Sequence, residues 1–168
     1  PLRIISVGRY VPKKGLDLLV SVAQSLADSV ELRLVGDAPM ALRQSNLSVG
    51  PVPHGQIAQA LRAADVFVLP CRVAPDGDRD GIPVALMEAM AEGLPVVSTR
   101  VAGIPELVDS TVGWLVEPAS AGVVEAAGIV DEVLVFPRGR LVESLAEGDA
   151  LGLARQARRF LSTLRERR

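Results

Sequence analysis

The chain has 168 residues, of which 49% are apolar and only 3% aromatic, and it carries a net charge of −2. That apolar share is ample for one buried core and excludes a disordered chain, while a charge so near zero gives no reason to expect a nucleic-acid partner. Cys71 is alone, so an internal disulfide is excluded and a reducing, cytoplasmic setting is expected. No segment reads as a signal peptide, and no apolar run reaches transmembrane length. With so few aromatics the core must rest on Val, Leu, Ile and Ala, which suits a parallel sheet covered on both faces.

Arg3 to Val7 reads as a short buried strand, ended by Gly8-Arg9 and followed by a polar loop from Tyr10 to Lys14. From Leu16 onward, Leu18, Leu19, Val22, Ala23, Leu26 and Ala27 recur at helical spacing, which makes half of a crossover unit. Val30 to Val35 predicts a second strand, closed by Gly36-Asp37, and residues 38 to 46 are too few for a full helix with its loops. Leu47 to Val49 is a short strand, and Gly50-Pro51-Val52-Pro53-His54 turns the chain. Ile57, Ala58, Leu61 and Ala64 mark a helix. Asp65 stands next as a turn or capping acid, and Val66-Phe67-Val68-Leu69 is the apolar run of a central parallel strand.

Pro70 ends that strand and opens a turn-rich loop with Arg72, Pro75, Asp76, Gly77, Asp78, Arg79 and Asp80. Pro83 suits the first turn of the next helix, because its missing N–H would be unpaired there anyway. Leu94 to Thr99 is the fifth strand, Gly103 to Glu106 opens a helical turn, and Gly113 to Val116 is the last strand. Val123 to Val133 reads as a further helix. Leu151, Ala154, Ala157, Leu161 and Leu164 form a helical stripe within a C-terminal extension at about 140–168, whose basic end suits a solvated helix C-terminus. The expected architecture is a single Rossmann-like α/β domain with about six parallel strands and helices on both faces.

Chemistry concentrates in the stretch from Asp80 to Val97, where Asp80 lies in the loop and Glu88 in the helix, eight positions on. Free amides around Gly81, Ile82 and Ala85 would face the space beyond the strand ends, and a helix start of this kind attracts phosphate. Ligands of open α/β sheets sit beyond the strand C-ends, and Arg9, Lys14, Asp80 and Glu88 all fall on that side of the expected topology. The bland alternative is an ordinary loop–helix–strand unit with solvated acids and loop cations. His54 is the single histidine and reads as a surface residue opening a helix, with no second His or Cys to form a zinc-type cluster. Cys71 reads as a small core-edge residue and Trp114 as core or edge packing.

Five blocks stand in one order: Val7-Gly8-Arg9 with Lys14-Gly15; Leu34-Val35-Gly36-Asp37; Ala64 to Pro70; Asp80 to Val97; and Ser98 to Arg100 with Gly103 to Val108. Together they resemble the donor-binding, C-terminal half of the retaining glycosyltransferases of family four, which have the two-domain GT-B fold and a Glu-x7-Glu motif. The likeness covers roughly residues 3 to 118. It implies a nucleoside-diphosphate sugar as donor, retained anomeric configuration, and no essential metal or other cofactor. Arg9 and Lys14 match the family's cationic contacts to the diphosphate, beside Gly8. Glu88 matches the acid that binds the ribose hydroxyls. Asp80 matches the acid that faces the donor sugar, but it is one methylene shorter than the family's Glu. Gly81 and Ile82 would offer backbone amides, and the backbone from Val49 to Val52 would lie near the base.

Pro1 stands where an initiator Met would, so the chain is expected to be excised from a longer protein whose N-terminal acceptor domain is absent here; the isolated domain would then be inactive. The resemblance adds two options for the basic C-terminal helix: peripheral contact with anionic lipid at the inner face of the membrane, or coverage of the missing half. The competing functional readings are a nucleotide-sugar epimerase on the same fold and a non-catalytic nucleotide-binding module.

Overall fold

The structure is a computed structural model that describes residues 1–109 and 112–118. Two kinds of strand sequence separate the middle of the sheet from its flank. β4 (Val66–Leu69) and β5 (Val96–Thr99) are buried at every position. β2 (Val30–Val35) alternates, burying Val30, Leu32 and Leu34 and exposing Glu31 and Arg33. A strand covered on both faces needs a continuous apolar run, and one with an open face needs alternation. With β1 (Leu2–Val7), β3 (Leu47–Gly50) and β6 (Gly113–Val116), these strands form one parallel sheet in the order β3-β2-β1-β4-β5-β6.

That order fixes where the helices go. Right-handed crossovers put the β1-to-β2-to-β3 connections on one face and the returning connections on the other. α1 (Leu16–Ser25) accordingly packs on β2 and β3, burying Leu16, Leu19, Val20, Val22 and Ala23. On the opposite face α3 (Val84–Ala91) packs on β4 and β5 and against α2 (Ile57–Arg62), and α4 (Ile104–Leu107) packs on β5. Helices therefore cover both faces, as expected. The β2–β3 connection holds only a 3-10 turn at Met40–Leu42. Asn46 secures it: its buried side-chain amide donates to the carbonyls of Ala23 (2.7 Å) and Val30 (3.2 Å).

Several local expectations are corrected. Pro83 precedes α3 rather than lying in its first turn: its ψ of 126° is extended, and its carbonyl accepts the Leu86 N–H. The fifth strand begins at Val96, because the Leu94 N–H is taken by Ala89 at the end of α3 and Pro95 has none to give. Asp65, in the bend before β4, also reaches across to β1. It accepts the Arg3 backbone N–H and a two-pronged contact from the Arg3 guanidinium, tying the start of β1 to the lead-in of β4. α1 also stops at Ser25, leaving Leu26 half-buried and Ala27 exposed. The helices expected at 123–133 and in the extension at 140–168 lie outside the described residues.

Candidate functional site

Strand order reverses between β1 and β4. Chains leaving neighbouring strands in opposite directions open a crevice there, beyond the strand C-ends. Three loops reach it: Gly8 to Lys14 after β1, Pro70 to Asp80 after β4, and Arg100 to Gly103 after β5.

The first two loops are joined by charge. Lys14 and Lys13 close a 3-10 turn at Pro12–Lys14. Lys14 Nζ lies 2.7 Å from Asp80 Oδ2, with both side chains mostly covered. Lys13 Nζ lies 3.0 Å from Asp78 Oδ2 and 3.6 Å from Asp80 Oδ1. Arg72 fastens the same two loops at a second point. Its backbone N–H donates to the Lys13 carbonyl (3.0 Å) and its Nε to the Pro12 carbonyl (2.7 Å), while Nη2 meets both Asp17 oxygens at 2.9 and 2.8 Å. A planar guanidinium fork suits this shared duty better than a lysine would. Asp37, at the end of β2, accepts the Tyr10 N–H at 2.5 Å and steadies the loop from its other side.

The remaining expected residues are placed as follows. Gly8 runs beside Lys14: a Cβ built on it would lie 3.7 Å from Lys14 Cε. The Gly81 carbonyl accepts the Gly103 N–H at 3.3 Å, and Ile82 rests on Gly103 so closely that a Cβ there would come 2.8 Å from Ile82 Cγ1. Gly8, Lys14, Asp80, Gly81 and Ile82 thus share one rim. Arg9 follows Gly8, is exposed, and its side chain makes no hydrogen bond or ion pair among the described residues. Glu88 is half-buried, about 6 Å along the α3 axis from the first helical residue, with a Cβ tilted back toward that end. Val49 is different: its side chain is in the core and its carbonyl already accepts Arg43 Nε (2.9 Å) and Nη2 (2.6 Å). Val52 is half-buried against the core.

Lys13, Arg72 and Asp37 were missed as site residues from sequence. Only Asp37 carried a signal, its place at the end of a strand after Gly36. His54 is exposed in a 3-10 turn, and Trp114 is half-buried on β6. Among the described residues, no group of three or more His, Cys, Asp or Glu is placed to hold a metal ion. A separate groove of about 260 Å³ lies at the opposite, N-terminal ends of the strands, lined by Arg3, Glu31, Arg33, Asn46 and Ser48, and contains none of the expected site residues.

Cys71 lies under the rim, its thiol 3.9 Å from Asp80 Oδ2. Burial pushes it up to about 12, and the opposing pull of the Lys14 ammonium does not offset this. Thiolate, not thiol, is the nucleophile. In the folded protein at pH 8, Cys71 is therefore expected to resist iodoacetamide for as long as the urea-unfolded chain takes to react completely. Comparable labelling rates by mass spectrometry would contradict this.

Residues 1–134 match the family model described as glycosyl transferases group 1. The chain belongs to the group 1 glycosyl transferases. Among relatives of this glycosyl transferase chain, the amylovoran biosynthesis glycosyltransferase AmsK of Erwinia amylovora is 42% identical over 136 residues, covering 72% of this chain and 33% of AmsK. The chain therefore spans about a third of the length of that curated relative. Its fold is that of Anabaena Alr3699/HepE, solved in complex with UDP-glucose (TM-score 0.62, 22% identity, 99% of this chain and 47% of that one). It also matches the C-terminal domain of LpcC, a glycosyl transferase group 1 family protein from Francisella tularensis (TM-score 0.59, 22% identity, 80% and 75% of the two chains). This group 1 glycosyl transferase chain thus has the Rossmann-like α/β architecture of one domain of the GT-B fold.

Proposed function

We propose that this group 1 glycosyl transferase chain is the donor-binding half of a retaining enzyme that transfers a sugar from a nucleoside-diphosphate sugar, in polysaccharide or glycolipid synthesis. The observation that carries this reading is the Lys14–Asp80 contact at the sheet's switch point, with the Arg9 guanidinium, unpaired among the described residues, on the same loop. Cations there suit a diphosphate. Arg9 offers a planar fork and Lys14 a point charge, and both offset the negative charge that grows on the leaving diphosphate. Backbone at Gly81 and Ile82 faces phosphate or sugar, and Asp80 faces the sugar. Glu88 accepts two hydrogen bonds from the ribose hydroxyls, which an ionised carboxylate does well. Val52, rather than the carbonyl of Val49 already held by Arg43, meets the base. The acceptor is bound by a second α/β half, and the complete enzyme works in the cytoplasm, at the inner face of the membrane where its acceptor is lipid-linked.

Calorimetry with UDP and GDP tests the reading directly, since neither nucleotide binding would leave it without support. Glu88→Gln is expected to weaken the better-bound ribonucleotide about tenfold, in line with loss of a charged hydrogen-bond acceptor. The 2′,3′-dideoxy analogue is expected to bind wild type and variant alike. An equal loss for both ligands would remove Glu88 from the ribose.

A further inference from the structure

Asp80 presents its two oxygens to two different ammonium groups. Oδ2 is in contact with Lys14 at 2.7 Å, and Oδ1 faces Lys13 at 3.6 Å. Lys13 is itself held in place by Asp78 at 3.0 Å, so it stands ready beside Asp80 without being committed to it. This arrangement creates a problem and contains its solution. On the donor reading above, Lys14 must turn to an incoming diphosphate, yet the same movement strips a mostly covered carboxylate of its closer partner, leaving only the long contact to Lys13, just where a second anion arrives. An unpaired, poorly hydrated charge is costly, and like charges at short range repel.

We propose that Lys13 is a positioning residue for donor binding: as Lys14 passes from Asp80 to the diphosphate, Lys13 closes on Asp80 and keeps its charge neutralised. Lys13 then acts on the ligand through Asp80, not by touching it. The inference rests on the donor reading but is separable from it.

The test is a double-mutant cycle read by calorimetry with UDP and GDP on the whole protein, comparing wild type, Lys13→Ala, Asp80→Asn and the double variant. Lys13→Ala is expected to weaken binding about tenfold, as loss of a covered charge partner does. In the Asp80→Asn background, where no charge needs a partner, the same change is expected to matter by less than about twofold. Lys13→Arg, which keeps the charge within reach, is expected to retain near wild-type affinity; a simple packing role would not be rescued in this way. Equal weakening by Lys13→Ala in both backgrounds would mean that Lys13 touches the anion itself, and no weakening would mean that it plays no part. Either overturns the assignment while leaving the donor reading standing. Lys14→Ala is the control for that reading: unchanged affinity there, or no binding of either nucleotide to wild type, removes the donor site and the role of Lys13 together.

Discussion

Gly15→Ala is expected to lower the unfolding free energy by about 3 kcal/mol or more, a large effect for a single loop residue. Gly15 has a φ of +65° and links two elements at once. Its N–H donates to the carbonyl of Pro12, closing the 3-10 turn, and its own carbonyl accepts the Leu18 N–H at the start of α1. A left-handed backbone alone costs an alanine about 1–2 kcal/mol. The steric clash weighs more, because a Cβ would lie 2.0 Å from the Pro70 carbonyl oxygen, a backbone atom that cannot turn aside. Gly15→Asn separates the two causes. Asparagine tolerates the left-handed region better but carries the same Cβ, so it is expected to fare little better than alanine. Urea unfolding followed by circular dichroism measures both, and a loss below about 1 kcal/mol for Gly15→Ala would show that the loops after β1 and β4 can separate at little cost.

The second large effect is on binding. Arg9→Ala and Lys14→Ala are each expected to weaken UDP or GDP binding about tenfold or more, and the pair about a hundredfold, since charge-assisted contacts to phosphate are among the strong hydrogen bonds. The two differ in what they do to the fold. Arg9 is exposed and its side chain has no partner among the described residues, so its loss is expected to leave the unfolding midpoint unchanged. Removing Lys14 leaves Asp80 with the Cys71 thiol and, as its one cation among the described residues, Lys13 at 3.6 Å, so a modest fall in stability is expected alongside the binding defect. Calorimetry paired with thermal melts reads both quantities. Wild-type affinity in the double variant would take the diphosphate away from this crevice.

The sheet was largely legible because burial leaves a period in the sequence. The unbroken run Val66 to Leu69 and the alternating Val30 to Val35 each identify a strand and its surroundings. What was misread sits at element ends, where one hydrogen bond decides the boundary. Leu94 looks like strand by composition, yet its N–H closes α3; Pro83 suits a helix start by its missing N–H, yet its ψ keeps it outside. Of the expected residues, Lys14, Asp80 and Gly81 meet at one rim, and spacing on one stretch or the family blocks singled them out. Asp37 stood in one of those blocks without being read as a site residue, and Lys13 and Arg72 were not singled out, because their partners lie far off in the chain: Arg72 reaches Asp17 across 55 positions and Lys13 reaches Asp78 across 65. No periodicity connects such pairs, and an arginine in a turn-rich loop resembles any solvated loop cation.

The loops that line the crevice are held to one another by Arg72, Lys13 and Lys14 at the molecule's rim, whereas the sheet beneath is held by apolar packing. Dissolved salt acts on these two kinds of bond in opposite ways, screening the first and leaving the second intact or slightly firmer. Tightness of the crevice and robustness of the scaffold are therefore separately adjustable properties: the medium can loosen one while the other stands.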